Sequence, residues 1–303
     1  MSNGLKERRR GTSLGAWLEP ILFLLPFAIG LLIFTVYPFV NVLTLAFREN
    51  YQFMTGVHDG IGLGNFRLIF GHRDFIAGLR NTSLYVLGVV PISTALALYF
   101  ALMLNSNIKL RGLFQTAFFM PMVTSVAAVG LVWRWLYHAE HGLFNYLLSL
   151  VGINPIRWLN HPDHALTALI IYGVWSILPF TIIIILSGLQ NVNPQYAIAA
   201  RVDGAKSWLI FSRVTLPLLA PTIGLVLIVN VITTSRVFSE LFPLFSGSPG
   251  PARSLYTVVF FIYDMFYVRW RLGPAAAAAV ILFLIVFAFT MMQMFIQRRW
   301  KHY

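Results

Sequence analysis

Asn230, Thr233 and Thr234 stand at i, i+3 and i+4 in a run otherwise made of Val, Ile and Leu. That spacing predicts three hydrogen-bonding side chains on one face of a helix. Ser235, Arg236 and Glu240 follow, and Arg236 and Glu240 are four apart, the spacing of a helical ion pair. A second apolar run carries Trp175, Ser176, Pro179 and Phe180. Rings that stack on C–H faces, with hydroxyls and amides that replace water, suit a polyhydroxylated solute. The same residue types also bond helix to helix inside lipid, so a packing role stands beside the binding role. Arg236 is the sharpest single candidate. It could hold an anionic group such as a sulfonate or phosphate through charge-assisted hydrogen bonds, or pair locally with Glu240.

Other chemistry is poorly provided for. There is no cysteine, hence no disulfide, thiolate metal site or cysteine nucleophile. The seven histidines are scattered, mostly in loops, without metal-ligand spacing. Gly204-Ala205-Lys206-Ser207 ends like a phosphate loop but lacks the upstream glycine and strand, so the chain is not expected to bind ATP or to be an enzyme. Gly60, Gly62 and Gly64 lack the strand and helix of a dinucleotide site and read as a flexible connector. Asn81-Thr82-Ser83 matches a glycosylation acceptor by chance.

The elements that must position these residues are membrane helices. Of 303 residues, 58% are hydrophobic and 11% charged, against about a quarter charged in a soluble domain. Apolar runs of about 20 residues, rather than alternation, select helices. The expected fold is all-α, a polytopic membrane protein with six transmembrane helices at roughly 20–45, 79–104, 113–137, 164–187, 214–243 and 273–297. The first is read as an uncleaved span, since the run after Lys6, Arg8, Arg9 and Arg10 is too long for a signal core. Pro26 and Pro38 within it read as kinks. The net charge of +12 fits the positive-inside rule better than nucleic acid. Lys6, Arg8, Arg9, Arg10, Lys109, Arg111, Arg201, Lys206, Arg213, Arg298, Arg299 and Lys301 fall on one side, against Glu7, Glu19 and Asp203. Both termini are therefore expected in the cytoplasm. The short turn after Asn105 makes the second and third spans antiparallel neighbours. Trp133 and Trp135 are expected in the interfacial aromatic belt. No domain boundary or tandem repeat is visible.

The longest polar interruption between two apolar segments is Asn193 to Pro221. Asn193 can cap a helix with Pro194 at its first position. Ala197, Ala199 and Ala200 leave room for another surface to approach. Gly204 suits the left-handed residue after a helix. Ser207 can cap a second short helix, Trp208 to Val214. The pattern describes a rigid knob held against a partner, or else a solvated loop.

Here a resemblance enters. Ala199-Ala200-x-x-Asp203-Gly204-Ala205, then Phe211, then Thr215-Leu216-Pro217, resembles the "EAA" loop of ABC importer permeases, the sugar-type ones above all. The family usually has Glu where this chain has Ile198. Gly64-Asn65-Phe66, Lys109-Leu110-Arg111-Gly112-Leu113-Phe114, Pro121, Trp133-Arg134-Trp135-Leu136 and Arg157-Trp158-Leu159-Asn160 are also similar to the family, and Ser246-Gly247-Ser248-Pro249 is a looser version of its glycine-rich turn. The resemblance spans about residues 18–300. It implies a type I permease fold: a basic cytoplasmic segment at 1–17, and one transmembrane domain at 18–300 with a coupling loop at 190–214. It implies that Asn193, Pro194, Ala197, Ile198, Ala199, Ala200, Asp203, Gly204 and Phe211 meet an ATPase subunit. It places a maltose-type transport site on the fourth and fifth spans, at Phe180, Asn230, Thr233 and Thr234, with Trp175, Ser176 and Arg236 beside them. The implied setting is a bacterial inner membrane. The implied partners are a second homologous permease, two ATP-binding subunits that hold ATP and magnesium, and an extracytoplasmic substrate-binding protein. An ion-coupled secondary transporter, with Glu240 as its carboxylate, and a non-transporting scaffold are the alternatives.

Overall fold

The structure, a computed structural model, describes residues 14–106, 109 and 111–300. Lys6, Glu7, Arg8, Arg9, Arg10, Leu110 and Lys301 lie outside the described residues, as do the side chains of Glu19, Arg111 and Arg299. Helix α1 (Leu14–Leu31) passes through a π turn, Leu32–Val36, into α2 (Tyr37–Phe47). Pro38 explains the widened turn. Its ring would clash with the Phe34 carbonyl in α geometry, and the Tyr37 N–H bonds back to Leu32 O instead. Neither Pro26 nor Pro38 breaks this helix.

A two-residue antiparallel ladder follows, β1 (Arg48–Glu49) with β2 (Gly60–Ile61), then α3 (Gly64–Phe70) and α4 (Arg73–Asn105). The glycines before α3 are not a flexible connector. The Glu49 carboxylate lies directly on Gly62 and Gly64, where any Cβ would collide with it. The Gly64 N–H donates to Glu49 Oε1 at 2.7 Å. Asn65 is buried beside it and donates to the Ala46 and Arg48 carbonyls at 3.0 and 2.9 Å. Helix α4 has 33 residues, about 50 Å at 1.5 Å each, so it outreaches a hydrocarbon core of about 30 Å.

The third span is not straight. Helices α5 (Arg111–Val123) and α6 (Val126–Leu136) meet at 106°. The break follows Pro121, where Ser125 turns extended with ψ 129°. Only α5 runs beside α4, with Phe118 and Phe100 rings 4.8 Å apart. Helix α6 turns away, and its Gly130 lets Pro243 sit on the backbone.

Helices α7 (Leu143–Leu150), α8 (Pro162–Asn191), α9 (Pro194–Val202), α10 (Ser207–Ile210) and α11 (Leu216–Thr234) come next. A π turn, Phe211–Thr215, precedes Pro217 as another precedes Pro38. It joins α10 to α11, so Ser207–Thr234 is one 28-residue helix. The separate short helix expected after Ser207 therefore does not form. Ser207 is its first helical residue, and no side chain caps that end. The expected fifth span to 243 stops at Thr234. Then α12 (Leu241–Phe245), α13 (Val258–Tyr263) and α14 (Leu272–Trp300) complete the chain. Among the described residues, five helices are long and apolar enough to cross a membrane, six with the bent pair counted as one.

Helix α4 packs mainly on α8, and α11 and α14 close the bundle, with α2 against α14. The interior forms two apolar clusters. One lies at the α3 end, around Tyr85, Trp133, Tyr172, Leu241 and Phe261. The other lies at the α9 end, around Ala97, Ala101, Ile182, Ile185 and Leu219. Buried Ser93, Thr181 and Asn230 lie between them on α4, α8 and α11. Trp133 is buried among Tyr137, Phe144, Tyr172 and Trp175, so only Trp135 faces outward as expected of an interfacial belt. Residues two apart on a helix point nearly opposite ways.

Candidate functional site

Two regions hold the singled-out residues. The first is α9 and its corner. Asn193 Oδ1 accepts from the Gln195 N–H at 2.9 Å, with Pro194 at the first helical position. At the far end Gly204 has φ +79°. Its N–H donates to Arg201 O at 3.0 Å, and the Ala205 N–H to Ala200 O at 2.9 Å. These two bonds make a Schellman motif. Both ends of a nine-residue helix are thus tied off, and the next helix starts at Ser207.

Helix α9 contains no buried residue. It touches α10 and the following π turn, where Ala197, Ala200 and Phe211 are half-buried. Ala199, Asp203 and Gly204 are open. Tyr196, Ile198 and Val202 are exposed, Val202 at 83% and the nearby Trp208 at 73%. Apolar side chains left open on a polar turn are the kind of surface a partner can cover.

The second region is where α8 meets α11. Asn230 Nδ2 donates to Thr181 Oγ1 at 3.1 Å, and Thr181 Oγ1 donates to Ile177 O at 2.9 Å. Thr234 Oγ1 donates to Asn230 O at 2.7 Å. Asn230 and Thr234 are 2% and 3% exposed, whereas Thr233 is open. The single face expected for the three is therefore split. Steps of three and four residues diverge by about 100°, and the seam takes 230 and 234 only. On α8, Ser176 and Phe180 share an open face. Trp175 instead packs half-buried on Trp133, centroids 5.3 Å apart, in the aromatic core.

Arg236 and Glu240 do not pair, because α11 ends before them. Arg236 is exposed, and its Nε donates to Ile232 O at 3.3 Å. Glu240 Oε2 accepts from the Phe238 N–H at 3.1 Å and Ser239 Oγ at 3.3 Å. Among the described residues no carboxylate meets Arg236, and no three His, Asp or Glu side chains group as metal ligands.

Sequence reasoning missed a third feature, at the α3 end. Asn81 Nδ2 donates to Ser254 O and Tyr256 O at 2.9 and 3.0 Å, and Thr82 Oγ1 accepts from the Val258 N–H at 3.1 Å. The apparent glycosylation acceptor is thus a staple between α4 and the loop ahead of α13. Asp74 Oδ2 meets Arg253 at 3.1 Å and Arg269 at 3.8 Å, and Arg269 meets Asp264 at 2.8 Å. The Tyr256 hydroxyl donates to Asp264 at 2.7 Å. Burial, reinforced by that bond, holds the phenol above its ordinary range. Only the long-range pairing, invisible in one sequence, would have revealed this lock.

Comparison with known proteins places the geometry. A family model for the binding-protein-dependent transport system inner membrane component matches residues 93–302. The trehalose/maltose transport system permease protein MalF of Thermococcus litoralis is 30% identical over 277 residues, 91% of this chain and 92% of that protein. The lactose transport system permease protein LacF of Rhizobium radiobacter is 32% identical, covering 92% and 94%. The sulfoquinovosyl glycerol transport system permease protein SmoG of Agrobacterium fabrum is 30% identical, covering 90% and 88%. A bacterial ABC transporter that imports the acidic polysaccharide alginate superposes with TM-score 0.81 at 24% identity, over 94% of this chain and 96% of that one.

Proposed function

The chain belongs to the binding-protein-dependent transport inner-membrane components, and from that premise we propose that it is one permease subunit of an ATP-driven importer for a sugar or sugar-like solute. The observation that carries the mechanism is α9. It is a short helix capped at both ends, with Tyr196, Ile198 and Val202 among its exposed residues, and linked by one left-handed glycine to the helix that forms the fifth span. In this reading α9 seats in a cleft of an ATP-binding subunit. Ile198, where the family resemblance expects Glu, makes that contact apolar rather than ionic.

When ATP closes the nucleotide subunits, α9 moves as a rigid body. The Schellman corner transmits the displacement into Ser207–Thr234, and the spans rock to open the solute path to the other side. Work is done only if ATP binds that state more tightly. The positive-inside bias puts α9 and both termini in the cytoplasm. The partners are a second homologous permease, two ATP-binding subunits and an extracytoplasmic binding protein. The solute path uses the open Ser176, Phe180, Thr233 and Arg236, while Asn230 and Thr234 hold the seam behind them.

The test is Gly204→Val. Nothing lies within 4 Å of a Cβ at Gly204, so the substitution costs conformation rather than space, about 1–2 kcal/mol for the left-handed backbone. Membrane insertion and assembly should persist while ATP hydrolysis no longer drives uptake. Gly204→Asn, which tolerates that conformation, should restore most of the coupling. Normal uptake by the Val variant would overturn the lever.

A further inference from the structure

Three turns at the α3 end are capped by a histidine two residues before an acid. His72 Nδ1 accepts from the Asp74 N–H at 3.2 Å at the start of α4. His161 Nδ1 accepts from the Asp163 N–H at 3.3 Å at the start of α8. His138 Nδ1 accepts from Glu140 and His141 N–H groups at 3.3 and 3.2 Å after α6. An imidazole can accept at Nδ1 only while that nitrogen is unprotonated, and free imidazole titrates between pH 5 and 8. A protonated ring would also place positive charge at the positive end of a helix.

His72 differs from the other two in what surrounds it. Its Nδ1 is 3.9 Å from Asp74 Oδ2, as His161 Nδ1 is 3.7 Å from Asp163 Oδ2, but the Asp74 oxygen also holds Arg253 and Arg269. Arg269 in turn holds Asp264, which accepts from Tyr256. From α13 the Phe261 ring meets His72 edge-on, centroids 5.3 Å apart, and brings no charge. His72 and Asp74 side chains are 24% and 26% exposed, so a proton reaches them from solvent.

We propose that His72 is a proton-operated latch. On protonation Nδ1 can no longer accept from the Asp74 N–H, and its new N–H pairs with the Asp74 carboxylate. That carboxylate is then shared away from Arg253 and Arg269, and α4 loses part of its attachment to the loops ahead of α13 and α14. The cap holds while Nδ1 is free to accept and is lost when Nδ1 takes a proton. On the proposed orientation the proton comes from the extracytoplasmic side, where the solute arrives.

Hydrogen exchange of the full chain in its lipid-embedded assembly tests this at pH 5.5 and 7.5, after correction for the chemical rate. Amides 74–77 should exchange about five-fold faster at pH 5.5, the effect of losing one cap, with 251–257 loosening alongside. His72→Asn keeps a side-chain acceptor at both pH values and should abolish the difference. Equal protection of the unmodified chain at both pH values would overturn the latch, as would an unchanged pH response in His72→Asn. Neither outcome bears on the α9 lever, which is read by uptake.

Discussion

At the scale of single residues, side-chain type told little until exposure separated the candidates. Asn230, Thr234 and Arg236 are all polar residues in or beside one apolar run, yet the first two are sealed in a helix seam and Arg236 is open. Sequence could not make that separation, because a polar face is read from helical phase and the seam accepts only part of it. The Arg236–Glu240 spacing was equally uninformative, since it presupposes a helix that has already ended at Thr234. Among the described residues no carboxylate meets this open guanidinium, which suits it to an anionic solute. Arg236→Gln should lower uptake of a sulfonated or carboxylated sugar by about ten-fold or more, the worth of a charge-assisted hydrogen bond. Uptake of a neutral sugar should stay within about two-fold. A loss common to both solutes in reconstituted vesicles would instead assign Arg236 to assembly.

At the scale of elements, helices were legible where a local rule fixes them. Asn193, Pro194 and Gly204 wrote the bounds of α9 in advance, because capping and left-handed backbone are properties of single residues. Among the described residues the same holds for six apolar segments, five of them long helices and the sixth the bent pair. What failed were joints. The break at Ser125, the early end of α11 and the fusion of α10 into α11 depend on neighbours or on backbone hydrogen-bond shifts. The Pro217 π turn shows this well, since proline alone reads as a helix start. The cap at Asn193 can be tested by itself. Asn193→Ala removes the bond to Gln195, worth about 1 kcal/mol. Amides 195–197 should then exchange about five-fold faster, and each ATP hydrolysed should move less solute. Asn193→Asp should behave as the unmodified chain, and a defect of equal size there would mean the cap is not what α9 needs.

At the scale of the whole molecule, the bundle is two apolar clusters joined through a buried polar layer. Composition announced a membrane protein but not this division, which appears only once α4, α8 and α11 are in register. Ser93, Thr181 and Asn230 lie between the two clusters, and in the proposed mechanism the rocking motion shears one cluster against the other there. The Asn230–Thr181 bond fixes that register at a strength of about 0.6–2 kcal/mol in lipid. The two ends of the bond are not equivalent. Thr181 keeps its own bond to Ile177 O when Asn230 is lost, whereas Asn230 loses its described amide partner when Thr181 is lost. Thr181→Val should therefore lower thermal stability more than Asn230→Leu, because an unsatisfied buried amide costs about 1–3 kcal/mol. The double variant, apolar on both sides, should regain most of the loss of Thr181→Val. Transition temperatures of the three variants in lipid discs measure the coupling directly. Strict additivity of the two changes would show that the layer carries no register, and the shear would then have to lie elsewhere in the bundle.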